Sequence, residues 1–398
     1  MKIQQIYLGT WFQRTSLHLK ELYKFLKYKT TKLDLERERL EHLWENLQIE
    51  KVEFFGNGEF DEIQVLCRNV LVRVSEDGII LLTTSETNSE KAKRILESFY
   101  TEYFAPTLTF LFSKGAPLPK ILDQAQEVHP LLIVTKNITE KQVLSLYDAH
   151  NDAIITRLVG DHTQVYRGDV INVFNFGNSR KFTNEHLETL LHYVVFFREF
   201  ENQLDRYLQI HRTMWDDITA IRETEEMAYK NFPHVRAEIL QNLKILSFVK
   251  ARLAQMKDII QERRHTIDPH IKNELKSLGL FKFDHLEANQ KYVTHLWQMT
   301  IEYVKGSLSL LESLYQENTQ KELNAIKFIT FGALITGFFG MNIAFPWEDR
   351  WIDKQWTSFI VILIMISLFI SFFFILKIAI YNRNFLVRLK KHDHDIEE

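Results

Sequence analysis

The sequence predicts an α+β domain, followed by a long helical stalk and two C-terminal transmembrane helices. Three observations point there. Only 7 Pro and 13 Gly occur in 398 residues, which favours long continuous helices over a turn-rich β fold. Two stretches near the C-terminus, Phe328 to Trp347 and Thr357 to Leu376, contain no charged residue. About 20 such residues cross a hydrocarbon core of about 30 Å as a helix. Residues 1–180 alternate short β-branched runs with helical stretches, the pattern of a layered α/β domain. Bulk composition excludes other classes. A 45% hydrophobic, 25% charged chain is not disordered throughout. The balance of 49 Lys+Arg against 52 Asp+Glu gives a net charge of -3, without the basic surplus of a nucleic-acid binder. The single cysteine, Cys67, rules out an intramolecular disulfide and a Cys-rich zinc centre.

Within residues 1–180, strands are expected at Ile63–Val74, Gly78–Thr83, Pro130–Thr135, Ala153–Leu158 and Asp169–Phe174. One helix is expected after Ser89. Another is expected after Thr139, where Thr139 and Gln142 have capping-box spacing. This region holds no Gly-rich phosphate loop, no HExxH and no nucleophile elbow. The chain is therefore read as a non-enzyme without a cofactor.

Residues 181–327 read as a helical stalk. Breaks near Pro233, Pro269 and Gly279 divide it into helices over about 184–231, about 234–266, and from Asp284 onward. The last carries Val293, Trp297, Ile301, Val304, Leu308, Leu311 and Tyr315 at steps of three and four, one stripe as in a bundle or coiled coil. No proline interrupts it before position 342. A helix of that extent is about 90 Å long, which suits a membrane pore with a vestibule better than a globular domain.

Residues 328–347 and 357–376 are the two expected spans, joined by a short outer loop, 348–356, and followed by a basic tail, 377–398. A buried hairpin of a soluble protein is the alternative, but no soluble helix needs to be apolar on every face, as the second stretch is. Lys377, Arg383, Arg388, Lys390 and Lys391 precede the first acid of the tail, Asp393. The loop instead balances Glu348, Asp349 and Asp353 against Arg350 and Lys354. The positive-inside rule then places both termini in the cytoplasm of a cell whose plasma (inner) membrane is crossed twice. Trp347, Trp351 and Trp356 would lie at the outer interface. The N-terminus shows no basic-plus-apolar leader pattern.

At the outer end of the first stretch stands Gly340-Met341-Asn342, preceded by Phe339 and followed by Pro346. Together with the layout of the chain, this resembles the CorA family of divalent-cation transporters. The resemblance covers the whole architecture, with residue-level matching confined to about 316–349. It implies a funnel-shaped homopentamer in which the first membrane helix lines a central pore. It also implies that Gly340, Met341 and Asn342 form the selectivity filter, and that Mg2+, or Co2+ and Ni2+, flows down the membrane potential. Regulatory cation sites between subunits are implied too, with no motif here to place them. The filter makes physical sense. Mg2+ sheds water reluctantly and is bound with several waters retained. A ring of Asn342 amide oxygens can hold the hydrated ion through those waters without trapping it, and conduction needs both entry and exit. The negative end of the helix favours a cation there as well.

Steps of three and four give the expected pore-lining face as Thr319, Glu322, Leu323, Ile326, Thr330, Ala333 and Gly337. Phe328, Phe331, Leu334, Ile335, Phe338 and Phe339 lie in other directions. Small residues on one face are alternatively read as tight helix packing, and both can hold in one pentamer. Two departures from the family pattern stand out. Phe331 occupies the place of a frequent proline, and Thr319, Glu322 and Thr330 replace part of an apolar gate. Lys327 is expected off the axis, reaching for the inner interface. Glu348 and Asp349 would raise cation concentration at the mouth.

Other clusters read as solvated charge rather than metal sites: His392-Asp393-His394-Asp395, Asp216-Asp217, and Glu223, Glu225 and Glu226. Two other functions remain open: a Zn2+ transporter of the same fold, and a non-conducting, membrane-anchored sensor or interaction protein.

Overall fold

A computed structural model describes residues 3–12, 19–32, 34–56, 61–111, 129–177, 182–223 and 231–342, with positions 362, 365, 366, 368–370, 372, 373 and 376. It divides into two compact units, residues 1–211 with 247–297, and residues 212–246 with 298–398.

The first unit is built on a nine-stranded mixed sheet. Its strands are β1 (Ile3–Trp11), β2 (Ile49–Phe55), β3 (Glu62–Cys67), β4 (Val70–Ser75), β5 (Ile79–Thr84), β6 (Leu131–Lys136), β7 (Thr156–Val159), β8 (Thr163–Arg167) and β9 (Ile171–Phe176). Their order is β2-β3-β4-β5-β1-β6-β9-β8-β7. The β6–β9 pair is parallel and the other pairs are antiparallel. The expected strand over Ile63–Val74 is in fact the β3–β4 hairpin. Arg68 and Asn69 form its two-residue turn at φ 47° and 63°, the doubly left-handed geometry that matches strand twist.

One face of the sheet is covered by α1 (Leu19–Tyr28), α2 (Arg37–Leu47), α3 (Ser89–Ser98), a π-helical turn over Phe99–Phe104, α4 (Ala105–Leu111) and α5 (Glu140–Ala149). Leu22, Phe25, Leu47, Ile63, Val72, Leu96, Phe104 and Val173 meet in that core. The Thr139/Gln142 capping box is present at the start of α5, while α3 is capped by Asn88, whose Oδ1 accepts from Lys91 N–H.

The other face is crossed by α6 (Asn184–Glu223). The fit is close: a Cβ at Gly9 would run into Val195. Three further helices follow: α7 (Phe232–Thr266), α8 (Pro269–Ser277) and α9 (Phe283–Asn342). Asp268 caps α8, with Pro269 in its first turn, and Gly279 at φ 67° ends that turn of chain, a conformation that suits glycine. Helix α8 itself was not expected from the sequence. The Glu274 carboxylate on α8, 1% exposed, accepts the backbone N–H groups of His162 and Thr163 at 3.1 and 2.8 Å, fixing the β7–β8 hairpin to the helix.

In the second unit α6, α7 and α9 pack together. Phe232 stacks on Tyr315 with ring centroids 4.1 Å apart, Trp215 lies 4.9 Å from Tyr303, and Arg236 pairs with Glu312 at 3.0 Å.

Candidate pore helix

Helix α9 runs 60 residues without a break. The stripe read from the sequence is its buried face as far as Leu311: Val293, Trp297, Ile301, Val304 and Leu311 are all at most 8% exposed. Beyond Tyr315 most of the described side chains of the helix are exposed. Phe328, Phe331 and Leu334 are 72%, 64% and 67% exposed, an apolar surface that one soluble chain has no reason to present to water.

The expected lining residues follow on the same helix. Thr319 and Glu322 are partly exposed, while Leu323, Ile326, Thr330, Ala333 and Gly337 are exposed. The two threonine hydroxyls donate backward to main-chain carbonyls, Thr319 to Tyr315 O at 3.0 Å and Thr330 to Ile326 O at 2.8 Å. With each hydrogen so used, only oxygen lone pairs face outward, which suits a cation or its waters. One carboxylate oxygen of Glu322 is enclosed without a hydrogen-bond partner among the described residues. The neighbouring Lys321 is held instead by Glu317 at 2.7 Å. A Cβ at Gly337 would meet nothing within 4 Å, so nothing among the described residues requires the small residue there.

Gly340, Met341 and Asn342 form the end of α9 and are described as backbone only. In helical phase these three positions differ from the lining residues. At about 100° per residue, positions 319, 330 and 337 share one line within about 20°, and positions 340 and 341 flank it at about 60° and 40°. Position 342 lies about 140° round the helix from that line. Glu348 and Asp349 lie outside the described residues, as do most of 357–376 and all of His392-Asp393-His394-Asp395.

Among the described residues, no helix is long and apolar enough to cross a membrane. The described part of the first expected span, residues 328–342, covers about 22 Å at 1.5 Å per residue, short of a core of about 30 Å. Also among the described residues, no three His, Cys, Asp or Glu side chains are grouped to hold a metal ion. Asp216 and Asp217 are exposed on α6, as a solvated helix face would be. Glu223 is described as backbone only, and Glu225 and Glu226 lie outside the described residues.

No family model matches the chain, and no curated protein matches it. Solved structures do match. The complete structure of the CorA magnesium transporter from Methanocaldococcus jannaschii aligns at 13% identity and a TM-score of 0.33, covering 62% of this chain and 92% of that one. The full-length CmaX protein aligns at 12% identity and a TM-score of 0.29, covering 65% of this chain and 90% of that one. At these scores the likeness is loose, and nothing about function rests on it.

Proposed function

We propose that this chain is a subunit of a divalent-cation transporter, with α9 lining the ion path and Gly340-Met341-Asn342 at its outer end. The observation that carries the reading is the helix itself. One unbroken helix carries the buried apolar stripe, a charged stretch over 312–327, and then a charge-free run over 328–342 that ends in those three residues. Two membrane helices per chain cannot enclose water, so several copies must assemble; the resemblance to CorA implies five. In such a ring the outward lone pairs of Thr319 and Thr330 supply acceptors along the path. The neutral Asn342 amides meet the hydrated ion first. Mg2+ is the preferred cargo, because amide oxygens that act through retained waters suit an ion that dehydrates reluctantly.

Since position 342 is off the lining face in a regular helix, the filter reading requires the last turn to open near Gly340, where glycine permits the change. Residues 328–347 and 357–376 would be the spans, with both termini cytoplasmic and Glu348 and Asp349 drawing cations to the mouth. The bilayer and four further copies of the chain would be its partners.

The test is flux of Mg2+, Co2+, Ni2+ and Zn2+ into dye-loaded proteoliposomes under an imposed potential, with native mass spectrometry of the detergent-purified protein. Mg2+ entry and a pentamer are expected. Zn2+ entry alone would favour the Zn2+ transporter. A monomer without flux would favour the sensor reading.

A further inference from the structure

Strands β8 and β9 present a second polar constellation, in the first unit and apart from the proposed ion path. In their antiparallel register Val165 stands opposite Phe174 and Arg167 opposite Asn172. Alternate residues share a face, so these four point toward α6, while Tyr166, Ile171 and Val173 enter the core on the other side. Val194 and Phe197 of α6 lie over them. The space between is a cleft of about 430 Å3, its open mouth included. Its enclosed part has room for only a few non-hydrogen atoms.

The charges around this cleft are unevenly matched. Lys282 Nζ donates to both Glu201 oxygens, at 2.8 and 2.7 Å. Arg198 donates to Glu199 at 2.8 Å and to Gly9 O at 2.6 Å. Asn172 is 5% exposed, and its Oδ1 accepts from Gly168 N–H at 3.2 Å. Among the described residues, nothing accepts from the Arg167 guanidinium or from the Asn172 Nδ2. Directly opposed cross-strand side chains start about 5 Å apart, so these two residues bring their donors to the same cleft.

Two donors with no protein acceptor are open to oxygens from water or a ligand, and a guanidinium with no carboxylate partner favours an anion that offers a planar pair of them. The Val165, Phe174 and Phe197 walls favour a carbon body over a bare inorganic ion. Glu201 does not oppose this, because Lys282 already neutralises it. We infer that the cleft binds a small organic carboxylate, whose oxygens bridge Arg167 and the Asn172 amide and whose carbon end rests on the apolar wall.

The test is calorimetric titration of the full-length protein in detergent with butyrate and benzoate, using inorganic phosphate and butylamine as comparison probes. Saturable binding of a carboxylate, weakened at least tenfold by Arg167→Gln and abolished by Asn172→Asp, is expected. The second variant keeps an acceptor for Gly168 N–H and places a carboxylate beside Arg167 as an internal competitor. Unchanged thermal midpoints for both variants would show that the fold is intact; if Arg167→Gln unfolds, Asn172→Asp alone decides. Absence of saturable carboxylate binding, or equal binding in wild type and Asn172→Asp, would overturn the inference. Phosphate binding as tightly as either carboxylate would overturn the assignment of a carbon-bearing ligand. None of these outcomes depends on transport.

Discussion

Arg263 Nε donates to Asp77 Oδ2 with the two side chains only 5% and 1% exposed, tying α7 to the β4–β5 turn. Ser75 Oγ and Ile79 N–H also donate to Asp77, and the guanidinium lies over the rings of Tyr193 and Phe196. Burial alone would raise the Asp77 carboxyl, but Arg263 and these hydrogen bonds bring it below its ordinary value. Asp77→Asn leaves a buried guanidinium unpaired and should cost about 3–5 kcal/mol, read as a lowered unfolding midpoint. Because the folded pKa is depressed, the carboxylate's contribution is present above about pH 3.9 and lost as pH falls through the folded value. A midpoint unchanged by Asp77→Asn would show that the pair does not hold the turn.

His192, beside this pair, gives a second pH window. Burial, with Arg263 and Arg73 nearby and only partly opposed by Asp77, pushes its imidazole down to about 3. Its other charged neighbour is Glu62, at 3.9 Å. The unfolded chain protonates this residue below about pH 6.5. Between about 6.5 and about 3 the unfolded state therefore binds more protons, and stability falls as pH falls. Unfolding midpoints measured from pH 7.5 to 5 should decline less steeply in His192→Gln than in wild type. Parallel declines would contradict a neutral buried His192.

Glu274→Gln tests the clamp on the β7–β8 hairpin. The amide can keep one oxygen at the position that accepts from both His162 and Thr163, but it loses the charge and sets an N–H2 against His162 N–H where the second oxygen now accepts; charged hydrogen bonds of this kind are worth about 1.5–3 kcal/mol. A loss of about 2 kcal/mol is expected, with faster hydrogen exchange at the amides of His162 and Thr163. Unchanged protection at those two amides would count against the clamp.

Much of this architecture was legible locally, and the reasons are physical. The Thr139/Gln142 box, Pro269 and Gly279 mark helix ends through contacts within a few residues. The stripe from Val293 to Leu311 repeats at helical period. Strand β1 was missed because it is central: Ile6, Tyr7 and Leu8 are all buried, so it lacks the alternation of a one-sided strand. The β3–β4 turn was missed because it contains no glycine, only Arg68 and Asn69 held at positive φ. Arg263–Asp77 and Glu274–Thr163 join residues more than a hundred positions apart, which no local pattern reveals. Gly340-Met341-Asn342 stood out as a motif, but its helical phase did not.

Topology can be probed without first removing the native thiol. Cys67 is fully buried, and desolvation pushes it up to about 12, so it should stay unreactive. A cysteine at Asp353 should react with an impermeant thiol reagent added outside, and one at Asp393 should not. The reverse pattern would overturn the orientation and the outer filter together.

The most direct test is Mg2+ flux through purified wild type and Asn342→Ala, side by side in proteoliposomes, with Asn342→Asp as the charge-bearing comparison. One substitution removes an amide oxygen from every subunit. With each water-mediated hydrogen bond worth about 1 kcal/mol, ion capture should weaken by at least tenfold even if the losses add poorly. Asn342→Asp should bind the cation more tightly and release it more slowly. Wild-type flux that survives Asn342→Ala unchanged would contradict the filter, and wild type that conducts no divalent cation would contradict the transporter.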